Sequence, residues 1–206
     1  MKDYTKKSLT VFIDDVASSL PAPGGGSVNA LVSSLGFSLL EMCCHFSYKK
    51  ITILYKKKKI RQILKLSRRK RRVVFRLINE DIKAYKLVVD SFKTPKGNKK
   101  RKRLIENALK KATAVPFCVF KLCCEGVDLI SCLFPFLNKR LLSDFKASLN
   151  LFSVALEGAE DNIKENLILI KDKSFVEKTE REFKSLKRKV FSKISKLRDK
   201  IEVYKN

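Results

Sequence analysis

The sequence predicts an all-α protein, a single-domain helical bundle with long antiparallel helices. Apolar residues recur at three- and four-residue spacing through several long stretches, which is the period of an amphipathic helix. No pair of alternating segments joined by a tight turn indicates a hairpin. The chain has only seven glycines and five prolines in 206 residues, as expected for long helices with short connections. This length suits one domain over residues 1–206.

The first element predicted is a short helix over residues 5–18, with Leu9, Phe12, Ile13 and Val16 on one side. The start of the chain has no apolar run resembling a signal peptide, so we expect a cytoplasmic protein. The cysteines lie inside apolar segments and none forms a CxxC pair, so we expect buried thiols and no metal site. They are Cys43, Cys44, Cys118, Cys123, Cys124 and Cys132.

A glycine-rich segment, Pro21-Ala22-Pro23-Gly24-Gly25-Gly26-Ser27, precedes the second predicted helix, residues 27–47. Glycines permit close backbone approach, Ser27 can cap the helix, and free N–H groups at a helix start can bind an anion. A tight turn with no ligand is an equal alternative. The helix carries only one charge, Glu41, but its serines favour a buried central helix over a membrane span.

A long helical stretch follows from about residue 50 to 93. Its apolar face includes Ile78, Tyr85 and Val88, and the spacing places Asp81 on that same face. Because burying a carboxylate is costly, Asp81 has either a structural ion pair or a functional role, and the sequence leaves both open.

The second half of the chain predicts helices over 99–134, from about residue 143, and from 174 onward, with a connection over 138–143. Pro116 falls inside the first of these helices and can kink it. In the next helix Gly158, Asn162 and Asn166 share a face, which indicates a polar pocket or a hydrogen-bonded helix contact.

The formal charge is +25, and residues 49–103 hold 23 lysines and arginines against three acids. Such a field attracts polyanions, although a solvated basic face explains the same composition. Few aromatic residues interleave with the basic ones for stacking on bases, which disfavours nucleic acid as a partner without excluding it.

The motifs together resemble the cyclodeaminase/cyclohydrolase family, which includes formiminotransferase-cyclodeaminase and stand-alone methenyltetrahydrofolate cyclohydrolases. The similar residues run in order over nearly the whole chain. They are Phe12–Ser18, Pro23–Ser27, Leu40–Met42, Asp81–Tyr85, Phe92–Lys93, Ala112–Pro116, Asn138–Lys139 with Ser143–Asp144, and Gly158, Asn162, Asn166–Leu167 and Lys171–Asp172.

The resemblance implies an all-α bundle that forms a homodimer and needs no metal or other cofactor. It implies a folate substrate, with or without a polyglutamate tail. It implies Asp81 and Asp144 as catalytic residues. The residues it implies for substrate binding are Pro23, Gly24, Gly25, Gly26, Ser27, Asn138, Ser143, Asn162 and Asn166. Lys49 and Lys50 correspond to a lysine-rich turn for the polyglutamate tail, although its flanking residues are not reproduced. A membrane partner is not expected.

Two reactions fit the resemblance. We favour hydrolysis of 5,10-methenyltetrahydrofolate to 10-formyltetrahydrofolate, because the chain has no formiminotransferase half. Cyclisation of 5-formiminotetrahydrofolate with release of ammonia is the alternative. A non-catalytic basic helical protein that binds polyanions is the alternative from another class.

Overall fold

The computed structural model describes residues 2–205 and contains no strand in that range, which confirms the all-α prediction. A 3-10 turn at Tyr4–Lys6 comes first, and two more, Phe134–Phe136 and Lys139–Leu141, connect the fourth and fifth α-helices. The α-helices are α1 (Leu9–Ala17), α2 (Gly25–Lys50), α3 (Leu54–Lys93), α4 (Arg101–Leu133), α5 (Leu142–Leu169) and α6 (Lys173–Lys205).

Local sequence accounts for several of the helix boundaries. Ser8 caps α1 by accepting a hydrogen bond from the Val11 N–H, and Asn138 caps the 3-10 turn that follows it. The expectation that Ser27 caps α2 is wrong. The helix begins two residues earlier, at Gly25, and Ser27 lies buried in its first turn.

Helices α2 to α5 run alternately up and down, so that each packs antiparallel to its neighbours. Near its start α2 contacts the end of α3 through Ser27 and Ile78, and further along Glu41 of α2 contacts Arg71 of α3. Helix α6 lies outside this group, parallel to α4, as the ion pairs Lys110–Asp172 and Lys121–Glu182 show. The result is an antiparallel four-helix bundle with α6 against one side.

The centre of the bundle is packed around Phe152 of α5. Its ring meets Phe37 edge-on at 4.7 Å between centroids. A β-carbon at Gly126 of α4 would lie only 2.5 Å from the Phe152 ring, so this glycine permits the close packing of α4 and α5. On the other side the Ser148 hydroxyl donates to the Gly36 carbonyl at 2.7 Å, joining α5 to α2.

Helix α2 is the central element of the bundle and packs against both α3 and α5. Among the helices of residues 2–205, α2 alone is long and apolar enough to cross a membrane. Yet 56% of its most apolar 18-residue stretch is buried inside the fold. Much of its apolar surface is therefore already covered by protein, as in the core helix that the sequence favours. On the preceding helix, Phe12 is buried but Leu9 and Ile13 are exposed, so the apolar side predicted for α1 is only partly covered.

Candidate functional site

A cavity of about 370 Å³ lies at the end of the bundle where α2 begins. It is enclosed by the segment before α2, the second half of α3, the first half of α4 and the second half of α5. Its lining residues are Pro21, Ala22, Gly24, Gly25, Gly26, Asp81, Ala84, Tyr85, Val88, Leu109, Ala112, Pro116, Asn162, Glu165, Asn166 and Leu169. The glycine segment, Asp81 and the two asparagines of α5 therefore share one cavity.

Asp81 reaches from α3 to the beginning of α2. The Ser27 hydroxyl donates to Asp81 Oδ2 at 2.8 Å, and the Ser27 backbone N–H donates to the same carboxylate. Gly24, which precedes the helix, has no side chain that can accept these bonds. The carboxylate therefore satisfies a free N–H in the first turn of α2 and lies at the positive end of its dipole.

The Asp81 carboxylate has no ion pair among residues 2–205. Burial raises the pKa of Asp81, and the hydrogen bonds from Ser27 oppose that rise without cancelling it. The structural ion pair with Arg or Lys that the sequence left open is not present in the described part of the chain. A half-buried carboxyl group with a raised pKa remains, facing the cavity.

Two of the glycines have different surroundings, which explains what each does. A β-carbon at Gly26 would lie 2.1 Å from Asp81 Oδ1, so this position must lack one if Asp81 is to approach the helix start. A β-carbon at Gly25 would meet nothing within 4 Å, because Gly25 borders the open cavity. No described glycine has a positive φ, so the motif is used for close approach rather than for a left-handed turn.

The polar face of α5 lines the opposite wall. Asn162 and Asn166 both border the cavity, while Gly158, one turn earlier, packs against the side chain of Asn29. Each asparagine amide offers both a donor and an acceptor. The polar-pocket interpretation of this face therefore fits the cavity, and the helix-contact interpretation fits Gly158.

Sequence reasoning missed three contributions to this cavity. Glu165 and Tyr85 line the cavity, and both are exposed. Pro116 has no N–H, so it leaves the carbonyl of Ala112 without its usual helical partner, on a turn where both residues line the cavity. The proline was visible in the sequence, and its position inside a predicted helix was the signal for a free carbonyl.

Several predicted residues lie at the other end of the bundle within one subunit. Asp144 lies in the first turn of α5, about 27 Å along the helix from Asn162, and Lys49 and Lys50 end α2, about 36 Å from Gly25. Asp144 lies near Cys43 of α2 at that far end. Burial, and secondarily the Asp144 carboxylate, raise the pKa of the Cys43 thiol to about 12. One subunit therefore does not bring Asp144 to the cavity.

Other predicted residues near that far end have local structural contacts. The Asn138 N–H donates to Ser47 Oγ at 3.0 Å, and its side chain accepts from the Arg140 N–H. Ser143 is exposed in the first turn of α5. Pro23 is buried and does not line the cavity, although both of its neighbours do.

The charges around the cavity are unusual for this chain. Its lining includes two carboxylates, Asp81 and Glu165, and neither a lysine nor an arginine. Within residues 2–205, no group of three or more histidine, cysteine or acidic side chains is placed to hold a metal ion. The arrangement suits an uncharged or cationic ligand that has hydrogen-bonding edges for the asparagines and a centre at which Asp81 transfers a proton.

Comparison with known proteins gives relatives of two activities. The methenyltetrahydrofolate cyclohydrolase of Methylorubrum extorquens is 28% identical over 87% of this chain and 88% of that protein. The formimidoyltransferase-cyclodeaminase of Rattus norvegicus is 27% identical over 87% of this chain but only 34% of its own length. This chain thus spans about a third of that relative.

A solved structure has the same fold. The crystal structure of formiminotetrahydrofolate cyclodeaminase from Thermotoga maritima matches with a TM-score of 0.90 and 26% identity, over 98% of this chain and 99% of that one. Residues 8–185 match the protein family described as Formiminotransferase-cyclodeaminase. The predicted resemblance is confirmed, and this chain belongs to the formiminotransferase-cyclodeaminase family.

Proposed function

We propose that this chain is an enzyme of folate one-carbon metabolism that hydrolyses 5,10-methenyltetrahydrofolate to 10-formyltetrahydrofolate. The observation that carries the proposal is Asp81, a carboxyl group with a raised pKa and no cationic partner among the described residues, in a cavity it shares with the glycine segment and two asparagines. The cyclohydrolase relative, which the chain matches over most of both lengths, supports this choice of reaction.

The charge of the cavity suits this substrate. The methenyl carbon lies between two nitrogens that share a positive charge, and a half-buried carboxylate beside it stabilises that charge more than one in bulk water would. In a protein of net charge +25, a cavity lined by Asp81 and Glu165 without lysine or arginine is a local exception. We infer that Asp81 faces the methenyl group and that Asn162 and Asn166 bind the polar edge of the pterin.

The proton transfers follow from this placement. Water attacks the methenyl carbon, and the Asp81 carboxylate takes a proton from it, giving a tetrahedral carbon between N5 and N10. As the bond from this carbon to N5 breaks, Asp81 returns the proton to N5 and the hydroxyl proton passes to solvent, leaving the formyl group on N10. A carboxylate whose conjugate acid has a raised pKa is a stronger base towards the attacking water, and its protonated form is better populated near neutral pH, so the proton can be held and then returned to N5. The reaction needs no redox cofactor.

The cyclodeaminase reaction is the second candidate, favoured by the structural match to the Thermotoga maritima enzyme. There N10 attacks the formimino carbon and ammonia leaves, again through a tetrahedral carbon between nitrogens. The same carboxyl group can move the protons in both reactions, so the cavity does not discriminate between them.

We further propose a homodimer formed through the outward side of α2. That side is apolar along its whole length, with Leu35 and Phe46 about half exposed. Its half-buried members are Val28, Leu31, Val32, Leu39 and Met42. A continuous apolar stripe of this kind is typical of an isologous interface. Two copies of α2 packed antiparallel would bring the end that holds Asp144 in one subunit towards the cavity end of the other, which is how the predicted roles of Asp144, Asn138 and Ser143 would be met.

Parallel assays of both reactions test the catalytic proposal. Purified protein is mixed with 5,10-methenyltetrahydrofolate and loss of its absorbance is followed, while ammonia release is measured from 5-formiminotetrahydrofolate. We expect enzyme-dependent hydrolysis in the first assay and little ammonia in the second. Fast ammonia release with slow hydrolysis would assign the cyclodeaminase activity, and no turnover of either compound would refute the proposal.

A pair of matched variants tests whether the cavity is the site. Asn162→Ala removes an amide from the cavity wall, whereas Asn150→Ala removes one exposed on the same helix about 18 Å away. We expect KM to rise about tenfold or more for Asn162→Ala and to stay unchanged for Asn150→Ala, because a lost substrate hydrogen bond costs roughly 1.5 kcal/mol. Equal KM values for the two variants would place substrate binding elsewhere.

The oligomeric state is tested by mass measurement in solution. We expect a particle of twice the 23.7 kDa chain mass, and a monomer for Leu35→Lys. Leu9→Lys on α1 is the control, since Leu9 is 60% exposed and lies outside the stripe. A monomeric wild-type protein would contradict the dimer without affecting the cavity assignment.

A further inference from the structure

We infer that the outward side of α3 binds the phosphodiester backbone of nucleic acid without regard to sequence, a role that lies beyond the proposed folate reaction. The surface concerned is a shallow groove of about 550 Å³. We call it the arginine face, and its residues are Arg61, Leu64, Lys65, Arg68, Arg69, Arg72, Val73 and Arg76.

The first argument is charge. Six of the eight residues of the arginine face are lysine or arginine and none is acidic. No acidic residue occurs in the sequence between residues 49 and 79, so the face has no anionic neighbour on its own helix before Glu80. The arginine face therefore carries charge of a single sign, unlike a mixed polar surface. Its local electrostatic field attracts phosphate.

The second argument is that most of these cations are unpaired. Arg68 lies 3.9 Å from Glu41, and Arg61 donates to the Tyr48 hydroxyl. Lys65, Arg69, Arg72 and Arg76 have neither a hydrogen bond nor an ion pair to any residue in the part of the chain that the structure describes, and all four are exposed. By contrast, Lys70 and Arg71 of the same helix point elsewhere and pair with Glu125 and Glu41.

The third argument is shape and residue type. From Arg61 to Arg76 the face extends about 22 Å along α3, which matches roughly six base pairs of duplex. Five of its six cations are arginine, whose planar fork contacts phosphate through two parallel hydrogen bonds. The face has no aromatic residue, which favours contacts to the backbone over stacking on unpaired bases.

A membrane surface fits the same face less well. An amphipathic helix that binds a bilayer needs a free apolar side to insert among the lipids. The apolar side of α3 is buried in the bundle, through Ile60, Ile63, Val74 and Ile78. Over residues 61–76 the exposed large apolar side chains are Leu66 and Val73, which are too few to form a side that inserts among lipids. Charge without an insertable apolar side favours a nucleic-acid backbone.

Salt dependence of binding tests the proposal. A fluorescently labelled 20-base-pair DNA duplex and an RNA hairpin of the same stem length are titrated with the full-length protein at several salt concentrations. With four to six phosphate contacts we expect the logarithm of the association constant to fall with the logarithm of salt at a slope of about −4 to −5 for DNA. Preference for one of the two probes would identify the source of the phosphate backbone.

Two triple variants of equal charge separate a defined site from general attraction. Arg69→Gln, Arg72→Gln and Arg76→Gln together remove three free cations from the arginine face. Lys178→Gln, Lys189→Gln and Lys196→Gln remove three exposed cations from α6, which packs on α4 and α5. We expect the first variant to make the salt slope less steep by about 3 and to weaken binding at least tenfold, and the second to change both only slightly.

The outcomes that overturn the inference are distinct from failure of the folate proposal. Equal losses in both triple variants would show non-specific attraction, and binding to vesicles of anionic lipid but not to either nucleic acid at 150 mM salt would assign a membrane surface. Thermal unfolding serves as the folding control, and folate turnover is measured beside it, since none of the six altered residues lines the cavity. We expect that turnover to be unchanged in both variants whichever way the binding experiment ends.

Discussion

The interface between α2 and α3 contains two carboxylates, Glu41 and Asp81, in opposite electrostatic settings. Glu41 is 7% exposed and accepts two hydrogen bonds from the Arg71 guanidinium, with Arg68 also within 4 Å. Asp81, ten residues beyond Arg71 on α3, has Ser27 as its only hydrogen-bond partner among residues 2–205. One half of the interface is therefore neutralised by charge pairing, and the other keeps an unpaired acid beside a cavity.

Glu160 on α5 is a buried glutamate that is paired with cations, as Glu41 is. Burial alone would raise its pKa, but hydrogen bonds and charge from Lys164 and Lys187 outweigh burial and lower it. Asp81 is half-buried with no such cation among the described residues, and its pKa is raised. Glu106 and Asp144 are likewise half-buried without an ion pair in that part of the chain, but neither lines the cavity, so Asp81 is set apart by its position. The difference indicates that Glu41 and Glu160 hold helices together, whereas the setting of Asp81 fits the proton transfer that we propose for it.

The largest effect we expect is on turnover. Asp81→Asn keeps the size of the side chain and an acceptor for Ser27 but removes the group that carries the proton, so turnover should fall about a hundredfold or more. Glu41→Gln is the matched control, and we expect its turnover to stay within about twofold of wild type because Glu41 does not border the cavity. Near-normal activity of Asp81→Asn would remove Asp81 from the mechanism and break the comparison.

The second expected effect is on stability, and here Glu41, the control in the turnover experiment, is the residue whose change matters. Glu41→Gln leaves the half-buried Arg71 without its counter-charge, and we expect the free energy of unfolding to fall by about 2 kcal/mol. The loss is below that of a fully buried pair because the Arg71 side chain is 33% exposed and remains accessible to water. Urea denaturation of wild type and variant at pH 7 measures it. An unchanged midpoint would mean that the pair does not hold α2 and α3 together.

The third effect tests why Gly26 must be glycine. Gly26→Ala places a methyl group where the Asp81 carboxylate lies, so we expect Asp81 to turn away from Ser27 and turnover to drop about tenfold. Stability should change little, since alanine favours the helix by roughly as much as the lost hydrogen bond costs, about 1 kcal/mol.

A double variant shows whether this effect acts through Asp81. In an Asp81→Ala background the methyl group has no carboxylate to displace, so Gly26→Ala should cause no further loss of turnover. An additional tenfold loss in that background would mean that the methyl group obstructs the cavity directly.

Much of the fold was predictable because the helices are long and their apolar periodicity is strong. The prediction of residues 27–47 corresponds to α2 at Gly25–Lys50, and that of 50–93 to α3 at Leu54–Lys93. The start of α2 was missed because Ser27 resembles a cap, while the acceptor that satisfies the helix start is Asp81, more than 50 positions away. Local sequence does not contain that pairing.

The candidate site was only partly predictable for the same reason. Periodicity placed Asp81 on an inward face, and spacing aligned Asn162 with Asn166, but neither shows which end of a bundle a residue occupies. Asp144 lies on the same helix as Asn162 yet near its other end, so its predicted role depends on a second subunit. The absence of a cation beside Asp81 was the least predictable feature, because a chain this basic makes an ion pair the ordinary expectation.

The smallest effect sharpens the comparison through its pH dependence. The folded protein has a raised pKa at Asp81, so ionising this group costs stability that the unfolded chain does not lose. The cost is absent while Asp81 is protonated in both states, grows as pH rises above the ordinary pKa of about 3.9, and is constant above the folded pKa. Asp81→Asn should therefore gain stability relative to wild type as pH is raised from about 4 to 8, because the amide does not titrate and avoids the cost of ionising a group with a raised pKa. Thermal unfolding of both proteins across this range measures the difference, and a difference that does not change with pH would mean that Asp81 titrates alike in the folded and unfolded chains.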